Sequence, residues 1–291
     1  MKPKLFIVLF AVLIATSSYS QDKYAVLLTG CKPAFGPLDD QIPLDLHPYD
    51  EFWNDTFLMW ELLTKVHGFI DARVKVLFYN GNDWSDPNPL NTNNRYKASR
   101  YGLERITDHP ADTNTIVQVL TDLKNQLTEK DFLFVWTFGH GSYEGSQSGH
   151  GLLRAFDPSN PSNQNLYMKD ERLGYLINSI TAKKVVWMAQ CYGGNFSDDI
   201  NTGDNCYFLS AGSIGETTHP AEDICPQNFK NERYPTSSNP IDTCYHGEFN
   251  FHLYSSSNGS APSYSLFHGD ATFCPNIYAQ FSAADQNLDV S

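Results

Sequence analysis

A chain of 291 residues, 41% of them hydrophobic and rich in Phe and Tyr, suits one large domain with its own core. Its formal net charge of −13 argues against nucleic acid and anionic membrane as partners. The acidity reads as solubility, with at most a weak preference for cationic substrates.

The chain opens with Lys2 and Lys4, an apolar stretch from Leu5 to Ala15, and the small residues of Ser18-Tyr19-Ser20. Residues 1–20 therefore read as a secretory signal peptide, too short in its apolar part to cross a membrane. No other segment is long enough to span. The mature protein is expected to be secreted, to begin near Gln21, to carry no long propeptide, and to form one domain over residues 21–291. Cys31, Cys191, Cys206, Cys225, Cys244 and Cys274 suit an oxidising compartment. An even count usually suggests three disulfides, but if Cys191 is a catalytic thiol five remain, so a second one is free or pairs between chains. Cys225 and Cys244 flank a Pro/Asn/Ser-rich segment and form the first expected pair; the other connectivities stay open.

From Gln21 onward strands and helices alternate. Tyr24 to Thr29 is an apolar strand, followed by a Pro/Gly/Asp-rich loop from Gly30 to Pro48. Phe52 to Val66 suits a buried helix, and Arg73 to Tyr79 a second strand. Residues 80–108 are polar and Asn-rich and read as a long surface insertion. Pro110-Ala111-Asp112-Thr113 opens a helix whose apolar positions 116, 119, 120, 123 and 127 follow helical spacing, with Asp112 or Thr113 as cap. Phe132 to Thr137 is a third strand, 141–168 a loop, Lys169 to Ile180 a helix, and Val185 to Ala189 a fourth strand. Cys206 to Ala211 is a fifth, residues 212–245 a second loop insertion, and His246 to Ser256 a short helix. The pattern predicts an α/β fold, a three-layer sandwich with a mostly parallel central sheet and helices on both faces.

Two of these strands deliver chemistry. The third ends at Gly139-His140-Gly141-Ser142, and the fourth at Gln190-Cys191-Tyr192-Gly193-Gly194. Strand, helix, strand makes a right-handed crossover, so both ends fall on the carboxyl edge where open α/β sheets bind ligands. Adjacent or nearly adjacent strands would put the two residues on lines roughly 5–10 Å apart. An imidazole beside a thiol is what nucleophilic acyl transfer needs.

The pattern resembles the caspase-like cysteine peptidases, the clan that includes legumain, gingipain, clostripain and separase. The resemblance rests on Pro110-Ala111-Asp112-Thr113 before a helix, on His140-Gly141 and Gln190-Cys191-Tyr192-Gly193-Gly194 after apolar strands, and on a His-to-Cys spacing of about 50 residues. It covers about Tyr24 to Ser256. It implies that Cys191 is the nucleophile, that His140 is general base and acid, and that the backbone amides of Gly141 and Cys191 form the oxyanion hole. Ala189, Gln190, Ser210 and Glu216 are the implied substrate-binding positions. Caspases and legumain carry a polar or acidic residue two positions before the Cys, where this chain has Ala189. Lys32 and His47 are the candidate basic residues of the first loop, and Glu216 either favours a basic substrate side chain or is a solvent-exposed or cap residue. The partners implied are protein or peptide substrates.

Two other readings compete. Ala211-Gly212-Ser213-Ile214-Gly215 approximates the nucleophile elbow of an α/β-hydrolase, with Asp223 or Asp242 and then His246, His252 or His268 in the right order. Pro220 soon after weighs against the helix that an elbow requires. An inactive peptidase relative serving as a binding protein is the third reading. Asn195-Phe196-Ser197 is a glycosylation sequon, and a glycan there would obstruct the site; Asn54 and Asn258 open further sequons. No cofactor or metal is implied. His109 and His150 read as loop residues, the other histidines lack paired metal spacing, and the Asp/Asn run at 80–94 lacks EF-hand spacing.

Overall fold

A computed structural model describes residues 21–32, 51–84, 96–163, 165–203, 205–218 and 289–290. In chain order the elements are β1 (Lys23–Thr29), α1 (Glu51–Glu61), β2 (Val74–Phe78), α2 (Thr113–Gln126), β3 (Phe132–Thr137), β4 (Gly141–Glu144), β5 (His150–Arg154), β6 (Tyr167–Lys169), α3 (Asp170–Asn178), β7 (Lys183–Met188), β8 (Cys206–Ser210) and β9 (Asp289–Val290). The central sheet runs β2-β1-β3-β7-β8-β9. Its first five strands are parallel, and β9 pairs antiparallel with β8. Leu28, Thr137, Met188 and Ser210 share one row across four neighbouring strands.

The inner strands are apolar along their whole length because both faces are covered. Alternate residues go to opposite sides. Ala25, Leu27, Phe134, Trp136 and Trp187 meet α1, which adds Phe52, Trp53, Phe57 and Trp60. Val26, Leu28, Leu133, Val135, Val186 and Met188 meet α2 and α3, which add Ile116, Leu120, Leu123, Leu173 and Ile177. The result is the expected three-layer α/β architecture, with an aromatic core on one side and an aliphatic one on the other.

Local signals explain the helices. Asp112 caps α2: its Oδ1 accepts the N–H groups of Asn114 at 2.9 Å and Thr115 at 3.0 Å. α1 continues as a π-helical turn over Leu62–Val66, accounting for the expected run to Val66. No described helix is long and apolar enough to cross a membrane.

Two expectations are corrected. The second part of the 80–108 insertion is not merely surface: Tyr96 and Ile106 are buried in the aromatic core. The Asp83 carboxylate holds this segment by accepting N–H bonds from Ile106 and Thr107, and Trp53 Nε1 donates to the Tyr96 carbonyl at 2.9 Å. The predicted loop 141–168 contains β4 and β5, which form an antiparallel sheet with β6. Polar residues and glycines hid it, since only one side of that sheet is packed. The signal peptide, the Cys225–Cys244 pair, Cys274 and the helix at 246–256 lie outside the described residues.

Candidate active site

Three residues beyond the row of Leu28, Thr137 and Met188 stand Cys31, His140 and Cys191. The strand β3 lies between β1 and β7, so the histidine leaves the sheet with a cysteine-bearing strand on either side. Parallel pairing alone brings the three to the carboxyl edge.

Backbone contacts then close the site. Toward β1, the N–H of His140 donates to Cys31 Sγ at 2.9 Å. Gly139 precedes it at φ +124°, and a Cβ there would lie 2.8 Å from the same sulfur. Only glycine combines that dihedral with that approach. Toward β7, a Cβ on Gly141 would stand 1.8 Å from the carbonyl oxygen of Cys191. The Gly141 and Cys191 backbones, whose amides are the expected oxyanion donors, are therefore in direct contact.

His140 is half-buried. Its ring meets Phe52 of α1 edge-on, with centroids 5.1 Å apart. Burial pushes the imidazole pKa down to about 4, and the Arg154 guanidinium adds to the effect. The Arg154 N–H also donates to the His140 carbonyl at 3.1 Å, so β5 braces the histidine. The ring is consequently neutral at neutral pH, the protonation state in which it can accept a proton.

Cys191 is a free, partly exposed thiol. Thr218 lies against it: the Thr218 N–H donates to Sγ at 3.4 Å, and the Thr218 carbonyl and hydroxyl oxygens are each 3.6 Å away. Tyr192 follows in the left-handed region at φ +56°, uncommon for a side chain of that size. Its N–H donates to the Glu216 carbonyl at 2.7 Å, and its ring meets Tyr143 at 5.0 Å. Cys206 is free as well, and both Cys206 and Cys31 are buried.

The other expected site residues lie differently. Ala189, Gln190 and Ser210 are buried. Ala189 N–H donates to the Thr137 carbonyl at 2.9 Å, continuing the strand pairing. Gln190 Oε1 accepts from Thr137 Oγ1 at 2.6 Å. Ser210 Oγ donates to the Gly212 carbonyl at 2.6 Å. Glu216 is exposed, with its backbone tied to Tyr192.

Ser213 does not sit on an elbow. The described chain after β8 runs to Thr218 in turns, without the helix that a nucleophile elbow opens. Its candidate partners Asp223, Asp242, His246, His252 and His268 lie outside the described residues, as do Asn258 and the loop candidate His47. Asn195 and Asn54 are buried, which corrects the reading of either as a glycan acceptor in the folded protein. His150 opens β5, with Nδ1 3.3 Å from Asp170 and Nε2 3.6 Å from Glu171. Ligand atoms of His150, Asp170 and Asp199 lie within 4.8 Å of one another.

Sequence reasoning missed Cys31, Arg154, Asn195 and Thr218. Cys31 carried a usable signal, because it follows its apolar strand as His140 and Cys191 follow theirs. Arg154 was hidden inside the supposed loop. Asn195 was marked only as a sequon and Thr218 not at all, because their contacts come from distant segments.

No protein-family model matches the chain, and no curated protein sequence does. Among solved structures, Raptor from Chaetomium thermophilum aligns with 68% of this chain at 12% identity and a TM-score of 0.37. The aligned part is only 16% of the Raptor chain. Protein GSU0716 from Geobacter sulfurreducens aligns over 93% of this chain and 92% of its own, at 11% identity and a TM-score of 0.46. Likeness at this level carries no chemistry across.

Proposed function

We propose that the protein is a secreted, caspase-like cysteine endopeptidase using a Cys191–His140 dyad. The observation that carries the proposal is the junction at the sheet edge: two adjacent parallel strands deliver a histidine and a cysteine at the same height, with Gly141 against the Cys191 carbonyl. In this reading the neutral His140 imidazole takes the thiol proton and Cys191 Sγ attacks the substrate carbonyl carbon. The tetrahedral oxyanion is held by the Gly141 and Cys191 amides. His140 then gives the proton to the departing amine, leaving a thioester on Cys191. Water, activated by the same imidazole, releases the acid and restores the thiol. An amine in place of water would give transpeptidation.

Digestion of a peptide library by the purified protein, read by mass spectrometry, tests this. Cleavage by the wild type and none by Cys191→Ala is expected, and the cleaved bonds report the primary preference. Cleavage that survives in Cys191→Ala would refute the assignment. Thr218 against the thiol favours a second reading, a peptidase-like binding protein whose site stays covered. An uncleaved library at every pH, with no reactive Cys191, would select it.

A further inference from the structure

Asn195 sits in the 3-10 turn Gly193–Phe196, immediately beyond the cysteine loop, and is 3% exposed. Its carboxamide makes three hydrogen bonds. Nδ2 donates to the carbonyl oxygens of Gln147 at 2.8 Å and Gly149 at 2.7 Å. Oδ1 accepts the N–H of Gly215 at 2.8 Å. One side chain thus joins three separate loops: the turn between β4 and β5, the turn after Cys191, and the segment leaving β8.

Close backbone packing fixes the same arrangement. A Cβ on Gly194 would lie 2.5 Å from the Ser213 carbonyl carbon, and one on Gly215 3.5 Å from the Gln147 carbonyl oxygen. Gly215 also has φ +82°. Downstream of this anchor the segment reaches the thiol. The Glu216 carbonyl takes the Tyr192 N–H, and Thr218 surrounds Sγ with its N–H, carbonyl and hydroxyl.

We infer that Asn195 is a positioning residue for Cys191: by holding Gly215, it sets the segment Ser213–Thr218 over the thiol and so controls access to it. The inference deepens the peptidase reading, since controlled access matters to a reactive nucleophile. It is tested through thiol chemistry, so that failure of the two readings can be told apart. Asn195→Ala removes all three bonds. Asn195→Asp keeps an acceptor for Gly215 but sets a carboxylate oxygen against two carbonyls.

The experiment follows iodoacetamide labelling of Cys191 by mass spectrometry, with buried Cys206 as an internal check on folding. Asn195→Ala should label Cys191 about tenfold faster than the wild type, as expected for loss of a few net hydrogen bonds holding a local segment. Cys206 should stay protected. Asn195→Asp should accelerate labelling less. With a cleavable peptide, KM should rise more than kcat falls. A lower Tm with unchanged Cys191 labelling, or labelling of Cys191 and Cys206 together, would overturn the inference and leave a purely structural residue. Should Asn195→Ala not fold, amide hydrogen exchange on the wild type decides. Gly215 and Tyr192 N–H protected together support the clamp, and free exchange at Gly215 refutes it. A protein that cleaves nothing, yet shows the labelling difference, keeps the clamp and loses the peptidase.

Discussion

Cys191 and Cys206 belong to neighbouring parallel strands of one sheet, yet their surroundings differ in almost every respect. Cys206 opens β8 at the amino edge, is 1% exposed and packs in the aliphatic core. Burial pushes its thiol pKa up to about 11, partly offset by the nearby Lys184 ammonium. Cys191 lies three residues past β7 at the carboxyl edge, partly exposed, against Gly141 of the histidine loop. The same side chain is thus filler at one edge and candidate nucleophile at the other. Its place along the strand direction decides which, because parallel sheets gather loops and polar backbone at their carboxyl edge.

The sharpest way to break this contrast is to remove each thiol in turn. Cys191→Ala should abolish peptide cleavage while leaving the fold intact, because no covalent intermediate can form. Cys206→Ala should leave cleavage unchanged and lower stability by about 1 kcal/mol, a small loss of buried apolar area. Activity assays with denaturant titration check both. Activity lost in the Cys206 variant alone would invert the assignment.

Replacing the base comes next. His140→Ala should lower kcat by about 10²–10⁴-fold with a smaller change in KM, the usual range for a general acid–base group. Steady-state kinetics measure it, and an unchanged kcat would leave His140 a turn residue. Gly141→Ala probes the junction rather than the chemistry. Its Cβ would stand 1.8 Å from the Cys191 carbonyl oxygen, so the two loops must part. Displacement of about 1 Å at a reacting centre costs roughly 10²-fold, while the same substitution at Gly203, where a Cβ meets nothing within 4 Å, should be silent.

A further effect is expected in the pH dependence of stability. The His140 pKa is lowered from 6.5 to about 4 by burial and then by Arg154. Above pH 6.5 the imidazole is neutral both folded and unfolded, and it adds no pH dependence. As pH falls from 6.5 toward 4, the unfolded chain binds the proton first, so stability declines across that window and levels off below it. Denaturant unfolding of wild type and His140→Gln between pH 7 and 4 should show a shallower decline in the variant. Parallel curves would mean that the imidazole is not kept neutral by the fold.

Much of this architecture was legible in the chain. The parallel strands show as continuous apolar runs because helices cover both faces, and strand ends fix where His140 and Cys191 emerge. Asp112 announces α2 through its capping position. What was hidden has a common cause. The small sheet of β4, β5 and β6 mixes glycine with polar residues and gives no alternation. The resemblance put Ala189 and Gln190 at the primary pocket; strand pairing carries on past Met188 to Ala189, and both side chains are buried. Asn195, read as a surface sequon, is sequestered by loops 46–48 residues before it and 20 after it. Local sequence cannot report a side chain whose partners lie that far away.

The proposed dyad requires the imidazole of His140 to act on the thiol of Cys191. Iodoacetamide labelling of wild type and His140→Ala, resolved by cysteine across mildly acidic to neutral pH, tests it most directly. Cys191 should react ahead of buried Cys31 and Cys206 in the wild type, and its rate should fall when His140 is replaced. Equal, slow labelling of Cys191 in both proteins would contradict it and leave the edge of the sheet without a dyad.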